Sequence, residues 1–150
     1  MIKTILVPSS GDASDAGCFD TALTIARAFA SHIDVLHVKV DPIDVAFATT
    51  AEPGGVVLIG DLVAQLEQDA VRREAAARQV FQDFCTREKL QTLTGPDAGV
   101  TGASAQWHVE TGDGAGITAS FGRAADLIVV GRGADREVTN QPFAAGNRIA

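Results

Sequence analysis

The chain has 150 residues, a length that fits one ordinary domain with a hydrophobic core. Its apolar fraction of 46% and charged fraction of 21% exclude a disordered or fibrous chain. A net charge of −7 argues against a nucleic-acid partner, because binding a phosphate backbone needs a basic face. No apolar stretch is long enough to span a bilayer and no signal peptide follows Met1, so we expect a cytoplasmic protein with no membrane partner.

The first part of the chain predicts a strand at residues 2–7, a polar turn at 9–12, a helix at about 15–31 and a second strand at 33–40. Pro8 is expected to end the first strand, because proline cannot donate to a sheet ladder. Either Ser14 or Asp15 is expected to cap the helix. His32 follows that helix, where it is expected to interact favourably with the helix dipole.

The remainder begins with a predicted loop at residues 43–55, a long helix at 56–90 and a second loop at 92–102. It continues with a third strand at 103–110, a short helix at about 115–124, a fourth strand at 126–130 and an irregular tail at 132–150. The third strand is less apolar than the others and is expected at an edge of the sheet. On the wet side of the long helix, Asp69 with Arg73 and Glu74 with Arg78 form acid-before-base pairs at i,i+4.

Strands that alternate with helices predict an α/β domain with a doubly wound parallel sheet. In such sheets, ligands bind beyond the carboxyl ends of the strands, where the winding direction reverses. With the first strand central, the candidate crevice lies between the ends of the first and fourth strands. Its residues are Pro8, Ser9, Ser10, Val130, Gly131, Arg132 and Gly133.

The cysteines and histidines also invite interpretation. Cys18 and Cys85 form no CxxC motif and lie within helical patterns, which favours two buried free thiols. His37 and His108 lie on strands expected to be neighbours, which leaves a metal or catalytic site open. No Cys, His or carboxylate spacing typical of a metal surrounds them, so packing with hydrogen-bonded rings is favoured.

Two further motifs have a functional and a structural interpretation. The glycine-rich turn at residues 112–116 precedes a helix and could bind an anion, but a plain turn capped by Asp113 is favoured. Ser9 and Ser10 could suggest a nucleophile, but the sequence implies no base beside them.

Several segments together resemble the universal stress protein domain. They are the first strand Ile-Lys-Thr-Ile-Leu-Val-Pro, the second strand Val-Leu-His-Val, the long second helix, the segment Trp-His-Val-Glu-Thr-Gly-Asp, and Ala-Asp-Leu-Ile-Val-Val-Gly at the fourth strand. The likeness runs through about the first 131 residues and lies in order and spacing. It implies the strand order 3-2-1-4-5, here 3-2-1-4 with the last strand missing. Residues 1–150 are then one C-terminally incomplete domain, which pairs with a second copy or with a tandem neighbour.

The resemblance also implies an adenine-nucleotide site. In ATP-binding members, an acidic residue after the first strand and a backbone group at the end of the second strand hold the adenosine. A G-x2-G-x9-G-[S/T] pattern then wraps the phosphates with backbone N–H groups. Here Ser10 replaces the acidic residue, Val38 matches the second-strand position and Gly131 matches the first glycine. The other two glycines fall on Ala134 and on residues 144–145, which are both alanine.

These departures weaken the predicted phosphate site, because alanine adds a Cβ where the cradle needs glycine. Arg132 and Arg136 could compensate in part by charge. The resemblance therefore implies a non-catalytic stress-response domain with no cofactor, a degraded nucleotide site and action through self- or partner association. The alternative is an ATP- or AMP-binding switch that uses the crevice between strands 1 and 4. An adenylyl-transferring enzyme would need a glycine-rich or HxGH-like motif that residues 8–11 do not supply.

Overall fold

The computed structural model describes residues 1–42, 59–95 and 101–131. Its elements in chain order are β1 (Thr4–Ser9), α1 (Ser14–Phe29), β2 (His32–Lys39), α2 (Ile59–Glu88), β3 (Gln91–Thr92), β4 (Ser104–Thr111), α3 (Gly114–Gly122) and β5 (Leu127–Ile128). All strand pairs are parallel, and the order across the sheet is β3-β4-β2-β1-β5. The predicted loop at 43–55 and the predicted tail at 132–150 lie outside the described residues.

The predicted α/β class with a parallel sheet is confirmed. The predicted order 3-2-1-4 corresponds to β4-β2-β1-β5, and the difference is the added strand β3 outside β4. The third predicted strand is therefore not at the edge. Gln91 and Thr92 are both exposed, so β3 carries no apolar pattern from which the sequence could have predicted it.

Alternation along the strands divides the sheet into two faces. The odd-numbered residues Ile5, Val7, Ile33 and Val35 pack with α1 and α2 in one core cluster that contains Phe19. The even-numbered residues of the same strands face α3. The sheet is thus covered by helices on both sides, as parallel sheets require.

Pro8 does not end β1, contrary to the prediction. The strand continues to Ser9, with Pro8 in register with Leu36 of β2. The N–H of Val129 donates to the carbonyl of Leu6, so the even-numbered backbone groups of β1 point towards β5. β5 pairs with β1 only as far as Leu6. Pro8 has no backbone N–H, but this group would point past the paired part of β5, where no ladder hydrogen bond forms.

Both cysteines are buried free thiols, as predicted. Burial raises the pKa of Cys85 to about 11, and burial together with the nearby Asp15 carboxylate raises the pKa of Cys18. Neither thiol is therefore activated as a nucleophile. Among the described helices, none combines the length and the apolar composition needed to cross a membrane.

Helix α2 is much longer than the sheet on which it packs. Its 30 residues span about 45 Å, whereas an eight-residue strand spans about 26 Å. Its second half is buried through Ala77 and Phe81, while Leu66 and Ala70 in the first half are only half-buried. The first half is therefore free to line a cleft at the edge of the sheet.

The ion pairs of α2 differ from the predicted i,i+4 pairs. Asp69 binds Arg72 at 2.7 Å, and Arg73 reaches only the backbone oxygen of Asp69, at 3.4 Å. Glu74 binds Lys39 of β2 at 3.0 Å instead of Arg78. Glu74 therefore pairs with Lys39 of the neighbouring strand instead of with a residue of its own helix, and Asp69 pairs with the arginine at i+3 instead of the one at i+4.

Candidate functional site

The loop after β1 is organised around one buried carboxylate. Asp15 is only 2% exposed, and its two oxygens accept four hydrogen bonds from the three residues that follow Pro8. Oδ2 accepts from the Ser9 hydroxyl at 2.6 Å and from the Gly11 N–H at 2.9 Å. Oδ1 accepts from the Ser10 N–H at 3.1 Å and from the Ser10 hydroxyl at 3.3 Å.

This network corrects the predicted helix cap. The residue before α1 is Ala13, which makes no side-chain cap, and both Ser14 and Asp15 lie inside the helix. Ser14 instead donates to Asp12 through its N–H at 2.8 Å and its hydroxyl at 2.5 Å. The Ser9 hydroxyl is buried and the donors of Ser10 and Gly11 are partly buried, so they take as acceptor the carboxylate that the sequence pattern assigned to the helix end.

A histidine on β2 fixes the same loop from its other side. His37 Nδ1 lies 3.0 Å from the carbonyl oxygen of Ser9, to which it donates because a carbonyl can only accept. The imidazole stacks on Trp107, with ring centroids 5.9 Å apart and an interplanar angle of 15°. Trp107 contacts Phe81 at 5.4 Å, and Phe81 contacts Phe19 at 6.4 Å. A continuous row of rings therefore connects the core to the end of β1.

Gly11 brings this loop against α2. Its φ is +79°, a conformation that glycine adopts without steric cost. A Cβ placed there would lie 3.1 Å from the backbone oxygen of Arg73 and 3.3 Å from the Cβ of Ala77. The close approach sets the position of the projecting half of α2 relative to the carboxyl ends of the strands.

A cleft of about 410 Å³ opens between these carboxyl ends and α2. Of the predicted site residues, Ser10 and Val38 line it. The other lining residues are His37, Lys39, Val40, Pro42, Leu66, Ala70 and Arg73, none of which was among the predicted site residues. The length of α2 could have indicated the last three, because a helix of that length must extend past the strands.

The remaining predicted site residues fall elsewhere. Val130 and Gly131 line a second hollow of about 360 Å³ against the first two turns of α1. A Cβ on Gly131 would lie 2.9 Å from the Cys18 sulfur and 3.1 Å from the Ser14 hydroxyl, so this glycine is packed closely against the helix. The described site residues Ser10 and Val38 thus line one hollow, and Val130 and Gly131 line another.

Pro8 and Ser9 line neither of these two hollows. Arg132 and Gly133 lie outside the described residues, as do Ala134, Arg136 and residues 144–145 of the glycine pattern. Within the described part of the chain, the predicted site is therefore represented by Ser10 and Val38 in the larger hollow and by Val130 and Gly131 in the smaller one.

The serines carry no nucleophilic arrangement. Both hydroxyls donate to Asp15, and His37 bonds to the Ser9 carbonyl instead of a hydroxyl. The histidine therefore does not contact a serine oxygen, and the Asp15 carboxylate that does is shared among four donors of the loop. Over residues 1–42, 59–95 and 101–131, no group of three or more His, Cys, Asp and Glu side chains is arranged to hold a metal ion.

The histidines predicted to approach one another lie on opposite faces of the sheet. Leu36 is in register with His108, which places His37 and His108 on the two sides. His108 Nε2 donates to Asp34 at 2.9 Å, so both rings are hydrogen-bonded as predicted. His32 does not act as a helix-end contact, because it is the first residue of β2 and its Nδ1 lies 2.8 Å from the Ser104 hydroxyl.

The glycine-rich turn at residues 112–116 is a capped helix start. Asp113 is the N-cap of α3 and accepts from the N–H groups of Ala115 at 3.2 Å and Gly116 at 2.9 Å. The favoured structural interpretation is confirmed. The N–H groups of Ala115 and Gly116 are therefore not free to bind an anion.

Asp34 predicts a pH-dependent contribution to stability. Burial alone would raise its pKa, but His32 and His108, both against the carboxylate, outweigh burial and lower the pKa. A lowered pKa stabilises the fold above about pH 4 and stops doing so as pH falls through the folded-state pKa. We expect Asp34→Asn to cost about 1 to 3 kcal/mol at pH 7, with the difference from wild type shrinking below pH 4. Urea unfolding from pH 7 to pH 3 measures this, with the exposed Asp83→Asn as control; a constant difference would contradict it.

No model of a known protein family matches the chain, and no curated protein matches its sequence. Solved structures do match. Universal stress protein UspA from Lactobacillus plantarum is 20% identical, with 91% of this chain and 83% of that chain covered and a TM-score of 0.57. A protein from the universal stress protein family of Burkholderia pseudomallei is 22% identical over 87% of this chain and 82% of that one, with a TM-score of 0.48.

A universal stress protein in complex with cAMP is 18% identical over 86% of this chain and 75% of that one, with a TM-score of 0.37. The Lactobacillus protein superposes best of these three and shows that the chain has a universal stress protein fold. The resemblance predicted from the sequence segments is therefore confirmed for the fold. At these identities the comparison carries no residue roles or ligand to this chain.

Proposed function

We propose that this chain is a cytoplasmic, non-catalytic stress-response domain of the universal stress protein kind. It binds adenine nucleotide weakly or not at all and acts through association with a second copy or with a partner domain. The fold likeness to the Lactobacillus protein supports the family part of this proposal. The remaining parts rest on the residues at the carboxyl edge of the sheet.

The observation that carries the proposal is the buried Asp15 carboxylate. A phosphate in the loop between β1 and α1 would be held by free backbone N–H groups of that loop. Here the N–H groups of Ser10 and Gly11 already donate to Asp15. A phosphate would have to displace a carboxylate that is 2% exposed and carries the same sign of charge.

The second hollow supports the same conclusion. Gly131 is closely packed against Cys18 and Ser14, and the sequence places alanine where the next two glycines of the phosphate pattern would stand. Ser10 also lacks the negative charge that holds adenosine in ATP-binding members of the family. Compared with ATP-binding members of the family, this chain thus lacks contacts to both the adenosine and the phosphates of an adenine nucleotide.

Exposed apolar side chains at one edge of the sheet support the association. Among the described strands, β5 lies at an edge; its residue Ile128 is 42% exposed, and Val130, two residues after the strand, is 69% exposed. A free strand edge with apolar side chains favours pairing with another chain. Self-association through this edge is the form of the proposal that can be tested directly.

The alternative function is an ATP- or AMP-binding switch. The observation that favours it is the cleft of about 410 Å³ beside Ser10 and Val38, a volume within the usual range for a small-molecule site. A switch requires that the nucleotide change the association state, whereas the main proposal requires that it does not.

Sedimentation velocity over a range of protein concentrations, with and without millimolar MgATP, separates the two. We expect reversible association whose strength does not change with MgATP. Ile128→Lys should weaken the association at least tenfold, because it places a charge on the apolar edge. Val71→Lys is the matched control, since Val71 is also an exposed apolar side chain, at 63%, but lies on α2. Association that requires MgATP would support the switch, and a monomer at every concentration would overturn the proposal.

A further inference from the structure

Helix α3 presents an uncharged outer face. None of its nine residues, Gly114–Gly122, carries a charge, although charged residues make up 21% of the chain. No residue of α3 is buried, and its exposed positions are Ala115, Gly116, Ala119 and Ser120. Because these positions are spaced three or four residues apart, they lie on one side of the helix. The outer side of a surface helix normally carries charged residues, so a face of glycine, alanine and serine is unusual there.

Opposite charges flank this face. Asp113 is the N-cap of α3 and Arg123 is its C-cap, and both are exposed. Asp113 precedes Gly116 by three residues and Arg123 follows Ala119 by four, so both charges lie on the side of the small residues. The Asp113 carboxylate caps two N–H groups, and its oxygens can each accept a further hydrogen bond. The outer face of α3 thus changes from negative to positive over about 15 Å.

Such a face is complementary to a second copy of itself. In an antiparallel pair of α3 helices related by a two-fold axis, Asp113 of each copy would lie beside Arg123 of the other. Both end pairs are then attractive, and the two helix dipoles point in opposite directions. Small residues at the centre of the face allow the helix axes to approach to about 8 Å, the short end of the usual range. A parallel pair would place like charges together.

The face of α3 is continuous with the exposed edge of the sheet. A Cβ on Gly122 would lie 2.8 Å from the Cδ1 atom of Ile128, so the last turn of α3 rests on this side chain of β5. Ile128 and Val130 are the exposed apolar residues through which self-association is proposed above. Two nine-residue helices alone would bury much less than the about 800 Å² per partner of a standard interface. A contact between two copies therefore needs the α3 face and the β5 edge together.

We propose that the outer face of α3 is the second part of the self-association surface and packs antiparallel against α3 of a second copy. This contact rests on the proposed function, because it requires that the chain associates with itself. It specifies the relative direction of the two copies and two symmetric ion pairs between Asp113 and Arg123. The small residues between these pairs form the closest part of the contact.

Ala119→Arg tests the close contact of the two helices. Ala119 is exposed near the middle of α3, and arginine is a good helix former, so the variant is expected to fold. In sedimentation velocity it should associate at least tenfold more weakly than wild type, because two large cationic side chains would meet where the helices approach most closely. Ala75→Arg is the matched control, since Ala75 is exposed on α2, and its association should stay within twofold of wild type.

An exchange of charges tests the antiparallel direction. Arg123→Glu and Asp113→Lys each place like charges opposite one another in a pair of identical chains. Each variant alone should therefore associate at least tenfold more weakly in low-salt buffer, where charges are screened least. An equimolar mixture regains both attractive pairs and should associate within about threefold of wild type. The mixture does not restore the lost N-cap, so recovery reports the ion pairs. Arg78→Glu, at an exposed position on α2, is the control that should change little.

The α3 contact and the proposed function fail by different results. Unchanged association in Ala119→Arg, or a mixture that associates no better than its two components, would overturn the α3 contact while self-association through β5 stands. A wild-type chain that remains a monomer at every concentration overturns both. Circular dichroism and urea unfolding midpoints show whether each variant is folded. Should Asp113→Lys fail to fold without its N-cap, the result for Ala119→Arg decides alone.

Discussion

Replacing Asp15 by alanine is expected to lower the free energy of unfolding by about 3 kcal/mol or more at pH 7. The substitution leaves the buried Ser9 hydroxyl and the partly buried N–H groups of Ser10 and Gly11 without their acceptor. An unsatisfied buried donor such as the Ser9 hydroxyl costs about 1 to 3 kcal/mol, and the partly buried N–H groups of Ser10 and Gly11 cost less because water can reach them.

Urea unfolding measures the loss, and Asp20→Ala is the matched control. Asp20 lies on the same helix, but it is exposed and pairs with Arg87 at the surface, so its removal should cost less than about 1 kcal/mol. Asp15→Asn should fall between the two, since an amide oxygen still accepts but the amide nitrogen cannot. Equal losses in Asp15→Ala and Asp20→Ala would contradict the assigned role of the carboxylate.

Phe81→Ala is expected to destabilise the fold by about 3 to 5 kcal/mol and to change the surroundings of the only tryptophan. Phe81 is 4% exposed and contacts both Phe19 and Trp107, so its removal opens a cavity in the row of rings. Trp107 in turn stacks on His37, which holds the end of β1. The variant should therefore show a red-shifted tryptophan emission in the absence of denaturant.

The control for this substitution is Phe29→Ala, the same chemical change at a side chain that is 48% exposed. It should cost about 1 kcal/mol or less and leave the emission unchanged, because the lost area is already half in water. Emission and stability in Phe81→Ala that match those of Phe29→Ala would show that the row of rings does not stabilise the site.

Much of the fold could be predicted because the strands are β-rich apolar runs that alternate with helical patterns. β1, β2 and β4 appear within two residues of their predicted bounds, and α2 begins and ends within three residues. β3 could not be predicted, since a two-residue exposed strand has no periodicity. Pro8 could not be placed correctly from its neighbours in the sequence. Whether a proline disrupts a strand depends on whether the adjacent strand needs its missing N–H, and here the paired part of β5 ends before Pro8.

The candidate site was harder to predict for a different physical reason. Asp15 matches a helix-cap pattern, and only the folded loop shows that its carboxylate faces residues 9–11. Arg73 matches an i,i+4 pair with Asp69, and only the structure shows that Arg72 takes that carboxylate. In both cases the residue types were evident, but the choice between competing partners depends on tertiary packing.

The register between neighbouring strands was equally hidden. His37 and His108 were correctly expected on adjacent strands, but a shift of one residue decides whether two side chains share a face. Pairing of Leu36 with His108 separates the two rings by the sheet. Sequence alone could place the strands side by side but could not fix this register.

The central proposal is that the carboxyl edge of this sheet binds a triphosphate weakly or not at all. Urea unfolding of the wild-type protein with and without about 1 mM MgATP tests it most directly, because a ligand that binds only the folded state raises the unfolding free energy. We predict a rise of less than about 1 kcal/mol, as expected of a ligand whose Kd is close to its concentration or above it. A rise of about 2.7 kcal/mol, which corresponds to a Kd one hundred times below the MgATP concentration, would contradict the account.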